Sequence, residues 1–354
     1  MSRSGGGPVG GGLPAVLAID GGNSKSDLAL VAGDGAVLAT ARGPGMASHM
    51  GLGEKLAVLG TMVGQAQRRA GRPGAPVARH LSACVANADL PEEEAEMAAA
   101  LGARRWTGTT EVINDTFAVL RAGLSTPTPA GPFPAAGGPV QRHWGVAVTC
   151  GAGINCVGVA PDGEKTGFLA LGEITGDWGG GHGLGGAALW WAMRAEDGRG
   201  PDTKLRSAVP AHFGLTAVRE VAIGIHLGTI PGASLGELAP AVLALAGAGD
   251  DVATALVRRQ AGEICAMALT VMRRLGLTTL PTPVVLGGGV LAARDPMLTA
   301  GVIEGIRDGA PHAAVRITDV PPVAGAALLG LDHLGAGPEA ERRLRADYAE
   351  RTPP

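Results

Sequence analysis

The 354-residue sequence is poor in lysine, in cysteine and in long apolar runs. Its only lysines are Lys25, Lys55, Lys165 and Lys204, no basic segment runs along the chain, and the net charge is −3. A nucleic-acid-binding surface needs a basic patch, so no nucleic-acid partner is expected. The scarcity also draws attention to Lys25, which lies in a polar turn.

The four cysteines, Cys84, Cys150, Cys156 and Cys265, show no CxxC spacing. Residues 1–12 have no signal-peptide pattern, so reduced thiols and a cytoplasmic location are expected. No apolar run reaches the ~18 residues of a membrane-spanning helix, so no membrane partner is expected. The length, with 46% hydrophobic and 17% charged residues, predicts a globular protein of two domains.

An apolar strand, a tight polar turn and a second apolar strand follow one another near the N-terminus. Gly21 and Gly22 allow a sharp bend that leaves backbone amides free. Free amides beside Ser24 and Lys25 would form a cradle for phosphate. Asp20, at the end of the first strand, is a candidate Mg²⁺ ligand, because Mg²⁺ prefers carboxylates and retained waters. The alternative at this point is an ordinary hairpin with a glycine turn.

The coarse pattern over residues 15–120 is βββαβαβα. A stretch rich in Pro, Gly and Ala, residues 126–140, is typical of a flexible linker. The pattern then restarts with a second three-stranded meander over residues 144–171, which indicates an internal duplication. A helix is predicted over residues 187–196, after a glycine-dense segment, and a last helix over residues 323–334.

Five motifs in a fixed order carry a resemblance to a known family. They are Asp20–Asp27 (DGGNSKSD), Asn114–Asp115 followed by Ala118, Cys150–Asn155 (CGAGIN), Gly176–Gly179 (GDWG) and Leu286–Val290 (LGGGV). With these motifs the chain resembles the BadF/BadG/BcrA/BcrD ATPase-like group, which includes N-acetylglucosamine kinases. That group belongs to the superfamily of sugar kinases, Hsp70 and actin.

The resemblance implies a fold class and a domain organisation. The fold would be α/β, a two-lobed actin-like or ribonuclease H-like fold with a duplicated βββαβαβα unit and ATP in the interlobe cleft. An N-terminal lobe is expected over residues 13–124 and a linker loop over residues 125–142. A C-terminal lobe with a helical insertion would follow over residues 143–335. Residues 336–354 would form a charged tail, either a short solvated helix or disordered.

The resemblance also implies roles for individual residues. Asp20 would bind Mg²⁺, and Asp115 would be the general base that accepts the proton of the sugar hydroxyl. The ATP-binding residues would be Gly21, Gly22, Asn23, Ser24, Lys25, Gly151, Ala152, Gly153, Gly287, Gly288 and Gly289. The substrate-binding residues would be Ser48, His49, Asn114, Asn155 and Asp177.

Several of these roles have structural alternatives. Asp115 is also a favoured residue for a helix N-cap. Asn155 and Asp177 occur where turn residues are common. Ser48 and His49 occupy the loop where sugar kinases of this group often have an asparagine, so the sugar itself is left open.

The sequence thus predicts an ATP-dependent kinase of an amino sugar, N-acetylglucosamine above all, that forms the 6-phosphate. The alternative is an ATPase that activates a radical dehydratase or reductase through an iron–sulfur cluster held by cysteine thiolates. A sugar-sensing protein without turnover is a third class, which the presence of Asp115 disfavours. A homodimer is expected from the resemblance alone.

Overall fold

The computed structural model describes residues 13–124 and 143–351, so the predicted linker over residues 125–142 lies outside the described residues. Contacts divide the chain into two compact units. Among the described residues, the first unit takes 13–118 together with 322–351, and the second takes 119–124 and 143–321. This division differs from the predicted lobes, because the last part of the chain returns to the first unit.

The first unit is built on a five-stranded sheet. Its elements up to the unit boundary are β1 (Val16–Gly21), β2 (Lys25–Val31), β3 (Val37–Pro44), α1 (Leu52–Arg69), β4 (Ala78–Val85), α2 (Pro91–Gly102), β5 (Thr107–Asn114) and α3 (Asp115–Gly123), which the boundary crosses. The sheet order is β3-β2-β1-β4-β5. Strand β1 is antiparallel to β2 and parallel to β4, and all six of its residues are buried. The predicted βββαβαβα order is confirmed.

The second unit repeats this sheet. Its elements are β6 (Gly145–Cys150), β7 (Ile154–Val159), β8 (Lys165–Gly167), α4 (Gly180–Glu196), α5 (Leu205–His212), α6 (Val218–His226), α7 (Ala239–Gly247), α8 (Asp251–Arg274), β9 (Pro283–Gly287), α9 (Gly289–Ala292), α10 (Pro296–Gly309) and β10 (Ala314–Ile317). The sheet order β8-β7-β6-β9-β10 matches that of the first unit strand for strand. The duplication predicted from the sequence is therefore confirmed.

Two boundaries in the second unit differ from the sequence prediction. Strand β8 ends at Gly167, four residues before the predicted end. Helix α4 begins at Gly180, seven residues before the predicted start, so the glycine-dense segment forms its first turns. Because glycine has a low helix propensity, the sequence did not predict these turns as helical. Close packing of the backbone holds them in place.

The two C-terminal helices, α11 (Pro322–His333) and α12 (Pro338–Arg351), complete the first unit. Helix α11 packs on β1 and β4. Its Gly330 permits this close approach, because a Cβ there would lie 2.5 Å from Val16 Cγ1 and 3.1 Å from Ser82 Cβ. The prediction that placed residues 322–335 in the C-terminal lobe is thus corrected by packing that no local pattern reveals.

Helix α12 is the described part of the predicted charged tail, and it is docked on the unit. Leu344 and Tyr348 are buried, and the Asp347 carboxylate accepts a hydrogen bond of 2.8 Å from the Val37 amide. Arg351 donates to the Val37 carbonyl at 3.1 Å. The expectation of a solvated or disordered tail is therefore replaced by a helix anchored to the start of β3.

Helix α8 packs in the hydrophobic core of the second unit, with Val257, Ile264 and Val271 on its buried face. Asp250 caps it by accepting a hydrogen bond of 2.9 Å from the Ala253 amide. Among the described residues, no single helix combines the length and apolarity needed to cross a membrane. Residues Gly232–Gly247 and Asp251–Arg274 meet those criteria only as a pair, bent by 113°.

Candidate functional site

The first glycine turn lies at the end of β1. The Gly22 amide donates to the Lys25 carbonyl at 3.0 Å and closes the turn, while the Met46 amide donates to the Gly22 carbonyl at 2.9 Å. Asn23, Ser24 and Lys25 are exposed. Within the described part of the chain, the amides of Asn23 and Ser24 make no hydrogen bond. The turn therefore presents open amides beside an ammonium group, as an anion cradle requires.

Asn87 holds this turn in place and was missed by the sequence reasoning. Its backbone has a φ of 61°, and its side-chain amide donates to Asn23 Oδ1 at 2.8 Å and to the Met46 carbonyl at 3.3 Å. It lies just after β4, whose end adjoins the end of β1 because the two strands are parallel. A polar residue at the carboxyl end of a buried parallel strand is the signal that would have identified it.

Asp20 is surrounded by other carboxylates of the first unit. In the sheet it is directly paired with Asp27 on β2 and with Cys84 on β4. Burial, followed by the negative charges of Asp115 and Asp27, raises the pKa of Asp20 to about 8, and Lys25 and Arg42 oppose this rise. Asp27 is itself held by Arg42, whose Nε and a terminal nitrogen donate to its two oxygens at 2.6 and 3.0 Å.

Asp115 is the first residue of α3, and Asn114 caps that helix. The Asn114 Oδ1 atom accepts a hydrogen bond of 2.9 Å from the Thr116 amide, and its Nδ2 donates to Asp89 Oδ1 at 2.7 Å. The capping alternative considered for Asp115 is therefore fulfilled by its neighbour. Burial raises the pKa of Asp115 to about 6, against the lowering effect of hydrogen bonds from Thr116.

These carboxylates fit a magnesium ion. Mg²⁺ takes oxygen ligands and keeps several waters, so one or two carboxylates suffice. The pKa values of Asp20 and Asp115 are both raised, which means that the folded protein stabilises their negative charges poorly. A divalent cation at this position would supply the missing positive charge.

The raised pKa of Asp20 leads to a prediction about stability. Between its unfolded pKa of 3.8 and its folded pKa of about 8, the folded chain binds more protons than the unfolded chain, so Asp20 lowers stability as the pH rises. Without Mg²⁺, Asp20→Asn should therefore stabilise the protein more at pH 8 than at pH 5, by about 1–3 kcal/mol. Urea unfolding of both proteins in EDTA at the two pH values measures this difference.

A control for this experiment is Asp162→Asn, which changes an exposed turn aspartate in the same way. The Asp162 Oδ1 atom accepts a hydrogen bond from the Glu164 amide, and an asparagine oxygen can accept the same bond. Its stability difference should stay constant between pH 5 and pH 8. If the stability difference between Asp20→Asn and the parent protein is equally constant, the folded protein does not disfavour the charged form of Asp20.

In the second unit, the two predicted nucleotide motifs and the start of α4 come together. The second glycine turn accepts hydrogen bonds from the start of α4: the Gly181 amide donates to the Gly151 carbonyl at 2.7 Å, and the His182 amide donates to the Ala152 carbonyl at 2.9 Å. Gly288, with a φ of +90°, lies against the Cys150 backbone, where a Cβ would be 2.8 Å from the Cys150 nitrogen. Residues 150–153, 180–182 and 287–289 therefore form one glycine-lined surface.

Gln260 fixes the entry to α4. It is fully buried on α8, and its Oε1 accepts a hydrogen bond of 2.9 Å from the Gly180 amide. A Cβ at Gly179 would lie 2.6 Å from its Nε2. The sequence reasoning missed Gln260, although an amide side chain between buried Val257 and Ile264 on an apolar helix face is a signal of such a buried polar contact.

The structure places the predicted substrate residues in both units. Ser48 and His49 form an exposed turn after β3, and Asn114 lies at the end of β5, all in the first unit. Asn155 is buried on β7 of the second unit, where its Oδ1 accepts a hydrogen bond of 2.7 Å from the Cys156 amide. Asp177 precedes α4, and its Oδ2 accepts a bond of 2.5 Å from the Thr175 hydroxyl.

The sequence model of the BadF/BadG/BcrA/BcrD ATPase family matches residues 135–330. The match covers more than half of the chain, so the protein belongs to this family. The resemblance drawn from the five motifs is thereby confirmed.

The chain is also similar to individual proteins of known name or structure. The N-acetyl-D-glucosamine kinase of Dictyostelium discoideum is 26% identical over 193 residues, which span 54% of this chain and 60% of the relative. A candidate N-acetylglucosamine kinase from Chromobacterium violaceum superposes with a TM-score of 0.68 at 24% identity, over 90% of this chain and 99% of the other. A ROK hexokinase from Thermus thermophilus superposes with a TM-score of 0.54 at 16% identity, over 91% and 99%. The two structures establish the fold, which is that of the actin-like sugar kinases.

Proposed function

We propose that the protein is an ATP-dependent kinase of an amino sugar, N-acetylglucosamine above all, and that it forms the 6-phosphate. The observation that carries this proposal is the carboxylate pair Asp20 and Asp115. The end of β1 and the start of α3 position these two residues, and the pKa of each is raised. Phosphoryl transfer needs a positioned base and concentrated positive charge: Asp115 is suited to be the base, and Asp20 is suited to hold the Mg²⁺ that would supply the charge.

Asp115 is assigned the role of general base. With a pKa of about 6 it is ionised at neutral pH yet basic enough to accept the proton of a sugar hydroxyl. As the 6-oxygen bonds to the γ-phosphorus of ATP, the bond from that phosphorus to the β,γ-bridging oxygen breaks and ADP leaves. The hydroxyl proton passes to the Asp115 carboxylate.

Asp20 is assigned to Mg²⁺. An ion held there would supply charge neutralisation for the phosphates of ATP. In the first unit, the open amides of Asn23 and Ser24 and the Lys25 ammonium are suited to phosphate oxygens, since backbone amides and an ammonium both donate to anions. The bond from Asn87 holds Asn23 in that orientation.

The second unit is assigned nucleotide contacts of its own. Residues 151–153 and 287–289 carry no side chain beyond the methyl group of Ala152, so a phosphate or ribose can approach the backbone closely. Gly289, the first residue of α9, is exposed. Residues 287–289 are assigned to the adenosine end of ATP and residues 151–153 to its phosphates.

We assign N-acetylglucosamine as the sugar because the Dictyostelium discoideum relative is named an N-acetyl-D-glucosamine kinase. The residues assigned to sugar hydroxyls or to the N-acetyl group are Ser48, His49, Asn114, Asn155 and Asp177. A site that hydrogen-bonds these groups rejects analogues that lack them, because its own polar groups are then left unpaired.

A coupled ADP-release assay with Mg-ATP tests the proposal across a panel of amino sugars and plain hexoses. We expect stimulation by N-acetylglucosamine well above the rate with glucose, and little ADP release without sugar. Phosphorus NMR of the product would identify a 6-phosphate monoester. ADP release that is high without sugar and unchanged by every sugar would refute the kinase assignment.

The activating-ATPase alternative has less support in the structure. All four cysteines are buried, and their exposed fractions do not exceed 9%. Burial raises the pKa of every one of these thiols, to about 12 for Cys150 and about 11 for Cys265. A cluster held between subunits needs thiolates at a surface, so purified protein should contain no stoichiometric iron.

A further inference from the structure

Two histidines and a glutamate form a compact cluster on the first unit that the proposed kinase reaction does not use. His80 lies on β4, Glu111 on β5 and His333 at the end of α11. One ring nitrogen of each histidine and one carboxylate oxygen all lie within 4.8 Å of one another. The His333 Nδ1 atom is 3.8 Å from Glu111 Oε2, and the two imidazole rings stack with their centres 4.0 Å apart.

The fold brings these three side chains together. Strands β4 and β5 are parallel neighbours with Ser82 paired to Glu111, so His80 and Glu111 lie two residues apart on the same face of the sheet. Helix α11 crosses this sheet over β1 and β4 and ends at His333. No segment of the chain carries more than one of the three residues, so their meeting depends on tertiary packing.

His80 is prepared as a ligand on its buried side. It is fully buried, and its Nδ1 lies 2.9 Å from the Thr109 hydroxyl oxygen. When Nδ1–H donates to that oxygen, the lone pair remains on Nε2, the tautomer that binds metals. The Nε2 atom is buried and has no hydrogen-bond partner among the described residues. A buried nitrogen without a partner costs free energy, and a metal ion would satisfy it.

We propose that His80 Nε2, Glu111 and His333 bind a divalent zinc-class cation that ties the end of α11 to the sheet of the first unit. Two imidazoles and one carboxylate suit zinc and related transition metals better than magnesium or calcium. Three protein ligands leave a fourth position for water. Glu111 and His333 have side chains that are 45% exposed, so both the ion and this water can reach the site.

Binding requires one local movement. Ligands bound 2.0–2.2 Å from a tetrahedral zinc ion lie about 3.3 Å from one another, closer than the 4.8 Å spread of the three atoms. The two rings stand at only 10° to each other, so their lone pairs do not converge on one point. The exposed His333 ring must therefore rotate out of the stack, while buried His80 stays in place.

The cluster is separate from the carboxylate pair at Asp20 and Asp115. His80 lies four residues before Cys84 on β4, and Cys84 is the residue paired with Asp20. Four residues span about 13 Å along a strand.

The His80 ring is also neutral at pH 7, because burial and the neighbouring His333 lower its pKa to about 4.

Isothermal titration with Zn²⁺ tests this site, on the full chain made without a polyhistidine tag and with saturating Mg²⁺ present to fill the carboxylate site at Asp20 and Asp115. We expect one saturable equivalent and a higher Tm in its presence, because an ion that binds only the folded state stabilises it. His333→Ala and Glu111→Gln, both at exposed positions, should weaken Zn²⁺ binding by about 10–100-fold or more, and Thr109→Val by about tenfold. Co²⁺ in place of Zn²⁺ should give the visible absorption of a tetrahedral site.

The matched control is His212→Ala. His212 and Glu237 form another histidine–glutamate pair, with 3.4 Å between Nε2 and Oε2, and no second histidine is grouped with them among the described residues. This variant should keep the Zn²⁺ affinity within about twofold. Loss of affinity in His212→Ala equal to that in His333→Ala, or no saturable Zn²⁺ binding by the parent protein, would overturn the proposal.

Discussion

Asp115→Asn is expected to lower kcat for sugar phosphorylation by about 10²–10⁴-fold, the usual contribution of a general base. Asparagine keeps the shape of aspartate but cannot accept the hydroxyl proton. Since Asn114 rather than Asp115 caps α3, the helix keeps its cap in the variant. The fall in kcat should therefore come without a comparable loss of stability or of sugar affinity, which the coupled assay and equilibrium binding of the sugar measure.

The control for this variant is Glu96→Gln, the same chemical change at an exposed position on α2. Its kcat should equal that of the parent protein. A kcat of Asp115→Asn above a tenth of the parent value would show that Asp115 is not the general base.

The pH dependence of the parent enzyme gives independent evidence on the same residue. Because burial raises the pKa of Asp115 to about 6, activity should fall as the pH drops through about 6, two units above the range of an ordinary aspartate. Bound Mg²⁺ would lower that value by its positive charge, so the limb should be read at several Mg²⁺ concentrations. An acid limb that lies near pH 4 at every concentration would mean that another group limits the rate.

The fold was largely predictable because the sequence repeats itself. Each half has three strands with a glycine turn between the first two, and the identical strand order of the two sheets is what that repeat predicts. The position of α11 was not predictable in the same way. Its apolar face could cover either sheet, and its place on the first unit depends on close packing, such as that of Gly330 against Val16 of β1 and Ser82 of β4.

The parts of the candidate site that lie in continuous motifs could be proposed from the sequence. Asp20 is the last residue but one of β1 and Asp115 directly follows β5. The ends of these strands meet at one edge of the first sheet, so local patterns were enough to propose both residues and the turn after Asp20. Asn87 and Gln260 were missed because each acts on a distant segment. A side chain that bonds to a backbone 80 residues away, as Gln260 does to Gly180, leaves no local pattern beyond its polarity.

Gly180→Ala is the second substitution with a large expected effect. Gly180 has a φ of +69°, and a Cβ there would overlap the Gly153 carbonyl oxygen and lie 2.6 Å from that of Ala152. Both obstacles are backbone atoms of the second glycine turn, so neither can yield without moving that turn. Overpacking and the strained φ together predict a loss of about 2–4 kcal/mol in the free energy of unfolding.

The same substitution should also weaken ATP binding, because the carbonyls of Gly151 and Ala152 accept the Gly181 and His182 amides that Gly180 positions. Gly186→Ala, six residues further along α4, is the matched control. A Cβ there meets no atom within 4 Å, and alanine favours a helix interior over glycine by about 1 kcal/mol. The added methyl group should thus destabilise the protein at position 180 and stabilise it at position 186. Urea unfolding and ATP titration of both variants measure this contrast, and equal effects at the two positions would show that α4 does not rest on the second glycine turn.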